Sequence, residues 1–172
     1  MDDGAITASC SKLLNNLINK LKIKWDEEVN KIVGLNSEKT NDGYKFYQSE
    51  LIQKLINLRP SNITALSPLP HNCQLKSNKS TQFDKEYLKC IVILLYIARG
   101  SRPDIAYAVY YLESFAMCMT TEYWDSLEKL IAYLRKTPEM GILISKDNPE
   151  NKLTCYVNAN WGGKAIDQCI VT

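Results

Sequence analysis

Apolar residues Leu13, Leu14, Leu17, Ile18 and Leu21 recur at helical spacing, with lysine and asparagine between them and Ser11 just ahead. They predict an amphipathic helix. Val29 to Leu35 and Gly43 to Tyr47 then read as short strands. The polar stretch between them ends in Asn41-Asp42-Gly43, whose turn chemistry predicts a hairpin. A second short helix, Glu50 to Leu58, stops before Pro60. From there to about Gln82 Ser, Asn, Pro and Lys accumulate without a period, the pattern of a linker.

Three helices are expected next. The first, Phe83 to Ala98, is apolar almost all round its second half and should be central, with a buried strand as the competing reading. Ser101-Arg102-Pro103-Asp104 reads as a helix start, with a capping serine, proline in the first turn and an acid three residues on reaching back to the serine. Ile105, Val109, Leu112 and Ala116 form the face that follows. The third helix starts near Thr121, carries Tyr123, Trp124, Leu127, Leu130, Ile131 and Leu134 on one stripe, and ends at Thr137-Pro138. Met140 to Ser145 and Leu153 to Ala159 look like two strands around the turn-rich residues 146–151.

A chain of 172 residues, 45% of them hydrophobic, can bury one modest core, or about one and a half if its halves pack separately. With 21 basic against 19 acidic residues no strong field steers it to nucleic acid or to an acidic membrane, so weak, non-specific nucleic-acid binding is the most that charge supports. Six cysteines are scattered without a CxxC pair and with His71 as the lone histidine, which predicts reduced, mostly buried thiols and no metal site. The acidic start and the short apolar run Ile91 to Ala98 predict neither a signal peptide nor a membrane span, hence an intracellular, soluble protein.

Several segments share one likeness. Ser101-Arg102-Pro103-Asp104-Ile105-Ala106-Tyr107-Ala108-Val109, followed by Trp124 and by Tyr133-Leu134-Arg135-Lys136-Thr137, resembles the Thr-Arg-Pro-Asp-Ile-Ala-Tyr-Ala-Val region of copia-type retrotransposon Pol polyproteins. Met1-Asp2-Asp3 is similar to the tail of that family's Tyr-x-Asp-Asp motif, Val33-Gly34-Leu35 to its Leu-Gly-Ile strand, and Leu94-Leu95-Tyr96-Ile97 to its Leu-Leu-Tyr-Leu segment. Gly43 to Gln48 resembles the hairpin before its Ser-Gln. Tyr156-Val157-Asn158-Ala159-Asn160-Trp161-Gly162-Gly163 resembles Tyr-Ser-Asp-Ala-Asp-Trp-Ala-Gly, where ribonuclease H begins, with both aspartates replaced by asparagine.

The resemblance implies an α+β chain: an incomplete reverse-transcriptase palm edge at residues 1–58, a linker at 59–81, a helical thumb and connection segment at 82–138, and a truncated ribonuclease H start at 139–172, of which the first β-hairpin is expected. Polymerase and ribonuclease H both hold two Mg2+ ions with several carboxylates. Asp2 and Asp3 are then a vestigial metal dyad, and Asn158 stands where the first ribonuclease H aspartate is lost. The family's third polymerase aspartate lies upstream and its other ribonuclease H acids downstream of these residues. The expectation is therefore an inactive fragment of a polyprotein whose parent role is RNA-directed DNA synthesis, with no bound cofactor and no small-molecule substrate. A retained nucleic-acid or protein binding module, or a slice of a longer active polyprotein, is the alternative. Lys20, Lys22, Lys24 and Trp25 are the candidate nucleic-acid contacts, bases to meet phosphates and an indole to stack; a solvated helix end is the plainer reading.

Overall fold

A computed structural model describes residues 10–21, 30–70, 73, 75, 84–117 and 121–145. Among them the order is α1 (Ser11–Leu21), β1 (Lys31–Ile32), β2 (Leu35–Lys39), β3 (Gly43–Tyr47), α2 (Ser49–Leu58), α3 (Lys85–Gly100), a 3-10 turn (Pro103–Ile105), α4 (Ala106–Glu113), α5 (Thr121–Lys136) and β4 (Ile142–Ser145). The mixed α and β content matches the expectation at that level. The amphipathic first helix forms as predicted, but none of its residues is buried. Leu13, Leu17 and Leu21 stay exposed.

The hairpin region departs from its expected outline. The run from Val29 to Leu35 is broken at Val33-Gly34, both with positive φ, 46° and 73°, so the chain folds back two residues after Lys31–Ile32. A β-branched residue in that conformation is strained, and such strain persists only where neighbours over-determine it. Here the Val33 carbonyl accepts a 2.6 Å hydrogen bond from the Tyr96 hydroxyl on α3. The polar residues Asn36 to Lys39, read as part of a connection, instead form a strand with β3. Thr40 and Gly43 close that turn by exchanging backbone hydrogen bonds at 2.8 and 3.4 Å.

The four strands are antiparallel in the order β1-β2-β3-β4. Residues 142–145, foreseen as half of a hairpin with 153–159, pair with β3, Phe46 facing Ile142 and Gly43 facing Ser145. The segment 153–159 lies outside the described residues. All four residues of β4 are exposed.

The core is helical. α3 is a helix rather than the competing strand, and its buried Tyr87, Cys90, Ile91, Leu94 and Ile97 occupy the middle of the cluster. Val92 and Tyr96 on its other side are exposed, so its second half is less enclosed than its composition suggested. The stripes of the two following helices are buried as expected, Ile105, Val109 and Leu112 on one and Tyr123, Leu127, Leu130, Ile131 and Leu134 on the other. Two further contributions escaped the periodicity. Ile52 and Leu55 of α2 are fully buried in the same cluster. The aperiodic stretch after Pro60 also touches it: Leu75 is buried and its N–H donates to the Tyr111 hydroxyl at 2.9 Å. Of the described cysteines, Cys90 is buried, Cys73 half-buried and Cys10 exposed, and all three are free thiols.

Candidate functional site

Most residues singled out for chemistry lie outside the described residues: Asp2, Asp3, Lys22, Lys24, Trp25, His71, Asn158 and Asn160. Lys20 is described, exposed in the last turn of α1. No group of three or more His, Cys, Asp or Glu able to hold a metal occurs among the described residues.

The described part of the family-like motif is the junction of α3 and α4. Ser101 ends α3, its N–H bonded to the Ile97 carbonyl, and Arg102 precedes the 3-10 turn with no side-chain cap. The capping box expected from Ser101 and Asp104 is therefore not formed. Both side chains have other partners. The Ser101 hydroxyl donates to Gln48 Oε1 at 2.9 Å. Asp104 instead takes a two-pronged contact from Arg102, Nε to Oδ1 at 2.9 Å and Nη2 to Oδ2 at 2.8 Å. Paired N–H donors on a carboxylate are stronger than a single backbone cap.

Arg102 is fully buried, and its remaining donors reach the end of α5, Nη1 to the Thr137 carbonyl at 2.7 Å and Nη2 to Thr137 Oγ1 at 2.8 Å. Its guanidinium lies 5.5 Å over the Tyr133 ring, and the Tyr133 hydroxyl donates to Asp104 Oδ2 at 2.9 Å. Burial pushes the Asp104 carboxyl upward, but the hydrogen bonds from Arg102 and Tyr133 outweigh it and hold the group below its ordinary value. Burial, and then the neighbouring Asp104, push the Tyr133 phenol the other way. The guanidinium spends its donors within the protein, so this node clamps α5 to the α3–α4 junction and offers nothing to a substrate.

A second polar cluster fixes the start of α3. Asp84 caps it, accepting from the N–H of Glu86 at 2.8 Å and of Tyr87 at 3.2 Å, and its other oxygen accepts from Trp124 Nε1 at 3.0 Å. Burial raises the Asp84 carboxyl, but these donors together, with Arg59 nearby, leave it below its ordinary value. The Arg59 guanidinium stacks 4.2 Å from the Trp124 ring centre and pairs with Glu128 at 3.2 Å. Trp124, placed on the α5 stripe by its spacing alone, thus works through its indole N–H as much as through its rings.

Sequence reasoning missed Gln48 and Tyr96. Gln48 is 1% exposed yet polar, at a position where a helix start favours a short capping residue. That mismatch was the available signal.

No family model matches the chain, and no solved structure matches it. Among curated proteins it is 31% identical over 97% of its length to the Retrovirus-related Pol polyprotein from transposon RE1 of Arabidopsis thaliana, and 27% identical over 97% to that from transposon RE2. It spans 12% of each of those two polyproteins. It is also 25% identical, over 95% of its own length and 70% of the relative's, to an uncharacterized mitochondrial protein of the same plant.

Proposed function

We propose that this relative of copia-type retrotransposon Pol polyproteins is, as a chain of these 172 residues, a non-catalytic fragment spanning the end of the reverse transcriptase and the start of ribonuclease H. Similarity over 97% of this chain to a 12% stretch of the RE1 and RE2 polyproteins supports the origin. The observation that carries the loss of activity is Asn158, with Asn160 beside it, where the family-like segment calls for aspartates. An amide keeps the shape of a carboxylate and loses the charge that holds a divalent cation. A two-metal site needs several carboxylates from different elements, and Asp2 and Asp3 are two neighbours on one segment.

The test is direct. Purified protein is expected neither to extend a primed RNA template nor to cut the RNA strand of a hybrid in magnesium or manganese. Template-dependent incorporation that disappears on Asp3→Ala would overturn this reading. Reverting Asn158→Asp together with Asn160→Asp is expected to restore no ribonuclease, because one recovered ligand position does not rebuild a two-metal site. Nucleic-acid binding is expected to be weak, salt-sensitive and blind to sequence, in keeping with a net charge of +2.

A further inference from the structure

A cavity of about 170 Å3 lies between the β1–β2 turn, the start of α2 and the outer side of α3, with Lys31, Asn36, Gln48, Glu50, Lys54 and Tyr96 in its wall. Gln48 is 1% exposed and its Oε1 accepts from Ser101, but its Nε2 has no hydrogen-bond partner. A buried donor left unpaired costs roughly 1–3 kcal/mol, which an acceptor entering the cavity would relieve. Gln48 also occupies the N-cap position of α2, and with its side chain committed to Ser101 it makes no cap hydrogen bond. The Leu51 and Ile52 N–H groups donate to the Gln48 carbonyl at 3.1 and 3.0 Å, so the end of this ten-residue helix that has no side-chain acceptor is at Glu50. Glu50 is the one carboxylate in the wall, and it is engaged by Lys31 at 2.8 Å, whose hydrogen bond holds it below its ordinary value. Lys54 is left as charge in excess.

We propose that this cavity binds a small oxyanion, a phosphate or carboxylate group, through Gln48 Nε2, the start of α2 and Lys54. The proposal is independent of whether the chain is catalytic. The cavity suits a single such group rather than a large organic ligand, whose pockets run to about 300 Å3 and above. A cation would meet two ammonium groups and a helix N-terminus. The site went unnoticed in the sequence because its wall is drawn from four separate elements, β1, β2, α2 and α3.

The full chain, titrated with inorganic phosphate at constant ionic strength, should show saturable changes in the NMR signals of the Gln48 side-chain amide and the Glu50 backbone amide. Lys54→Ala, an exposed position that leaves the core intact, should weaken binding about tenfold, the worth of one charge-assisted hydrogen bond. Gln48→Glu, which replaces the donor with a like charge, should abolish it. Glu50→Gln should tighten it severalfold, a gain that no unfolding mimics. Parallel titrations with acetate and with a short oligonucleotide identify the source of the group, since saturation of these same signals by either supports the site. Absence of saturation with all three probes, or affinities unchanged in both Lys54→Ala and Glu50→Gln, would refute it.

Discussion

With its guanidinium wholly buried and bonded to Asp104 and to Thr137, Arg102 is poorly replaced even by lysine, whose single ammonium cannot span two carboxylate oxygens and a carbonyl at once. Arg102→Ala strands the Asp104 carboxylate and the Thr137 carbonyl together. Removing one partner of a buried pair costs about 3–5 kcal/mol, and because the Asp104 side chain keeps 33% exposure the lower end applies. Urea denaturation should show that loss, and a change below 1 kcal/mol would mean that water replaces the guanidinium. The same pair sets a pH dependence. The Asp104 carboxyl is depressed in the fold from an ordinary value of 3.8, so its contribution is complete above that pH and fades as acid carries the solution down through the depressed value. Asp104→Asn should therefore flatten the acid limb of the stability profile below about pH 4 while lowering the plateau above it. An unchanged acid limb, read from urea midpoints across that range, would shift the effect to Asp84 or Glu50, both also depressed.

Among the elements, the sheet depends on two glycines where β3 and β4 meet. A Cβ on Gly43, whose φ is 154°, would fall 1.9 Å from the Ile144 carbonyl oxygen, and one on Gly141 would fall 2.0 Å from that of Phe46. Gly43→Ala should detach β4 while leaving the helical core folded, with loss of amide protection confined to residues 43–47 and 142–145. Protection of those amides as in the parent chain would show that the strands shift to make room. Among the described residues β4 is also an edge strand carrying exposed Ile142, Leu143 and Ile144, the kind of edge that pairs with other chains. Leu143→Lys is expected to change stability by less than about 0.5 kcal/mol and to suppress aggregation in concentrated solution, as light scattering would report. The helices were legible in advance because each repeats apolar residues at one period over two turns or more. The strands were less so. Asn36 to Lys39 carry no apolar alternation and pair because β3 offers them a backbone ladder, while the turn at Val33-Gly34 owes its geometry to Tyr96, more than sixty residues away in sequence.

For the molecule as a whole, α3, α4 and α5 bury their apolar stripes in one cluster, and Ile52 and Leu55 show that α2 completes it. Leu55→Ala should cost about 2–5 kcal/mol and lower the stability of all four helices in one cooperative transition. Loss of α2 alone at lower denaturant would instead mark it as a separate, weaker unit. Hydrogen exchange should be slowest in α3 and α5 and fast throughout α1, none of whose side chains is buried. The chemistry proposed for the fragment was legible only in the sequence, as likeness to a family pattern at Asp2 and Asp3 and departure from it at Asn158, since all three lie outside the described residues. The oxyanion cavity was invisible because no local spacing relates the start of α2 to Lys31, Asn36 and Tyr96.

The pairing of β3 with β4 also has a history in time. Phe46 meets Ile142 about a hundred residues later in the chain, and a ribosome adding roughly 5–20 residues per second needs about 5–20 s to deliver the partner. Throughout that interval the outer edge of β3, with Tyr44 and Phe46 on it, has no strand beside it in a nascent chain. Slowed translation of the helical segment would lengthen this exposure, and binding of a chaperone to ribosome-bound chains should peak once β3 has emerged and fall when residues 142–145 follow.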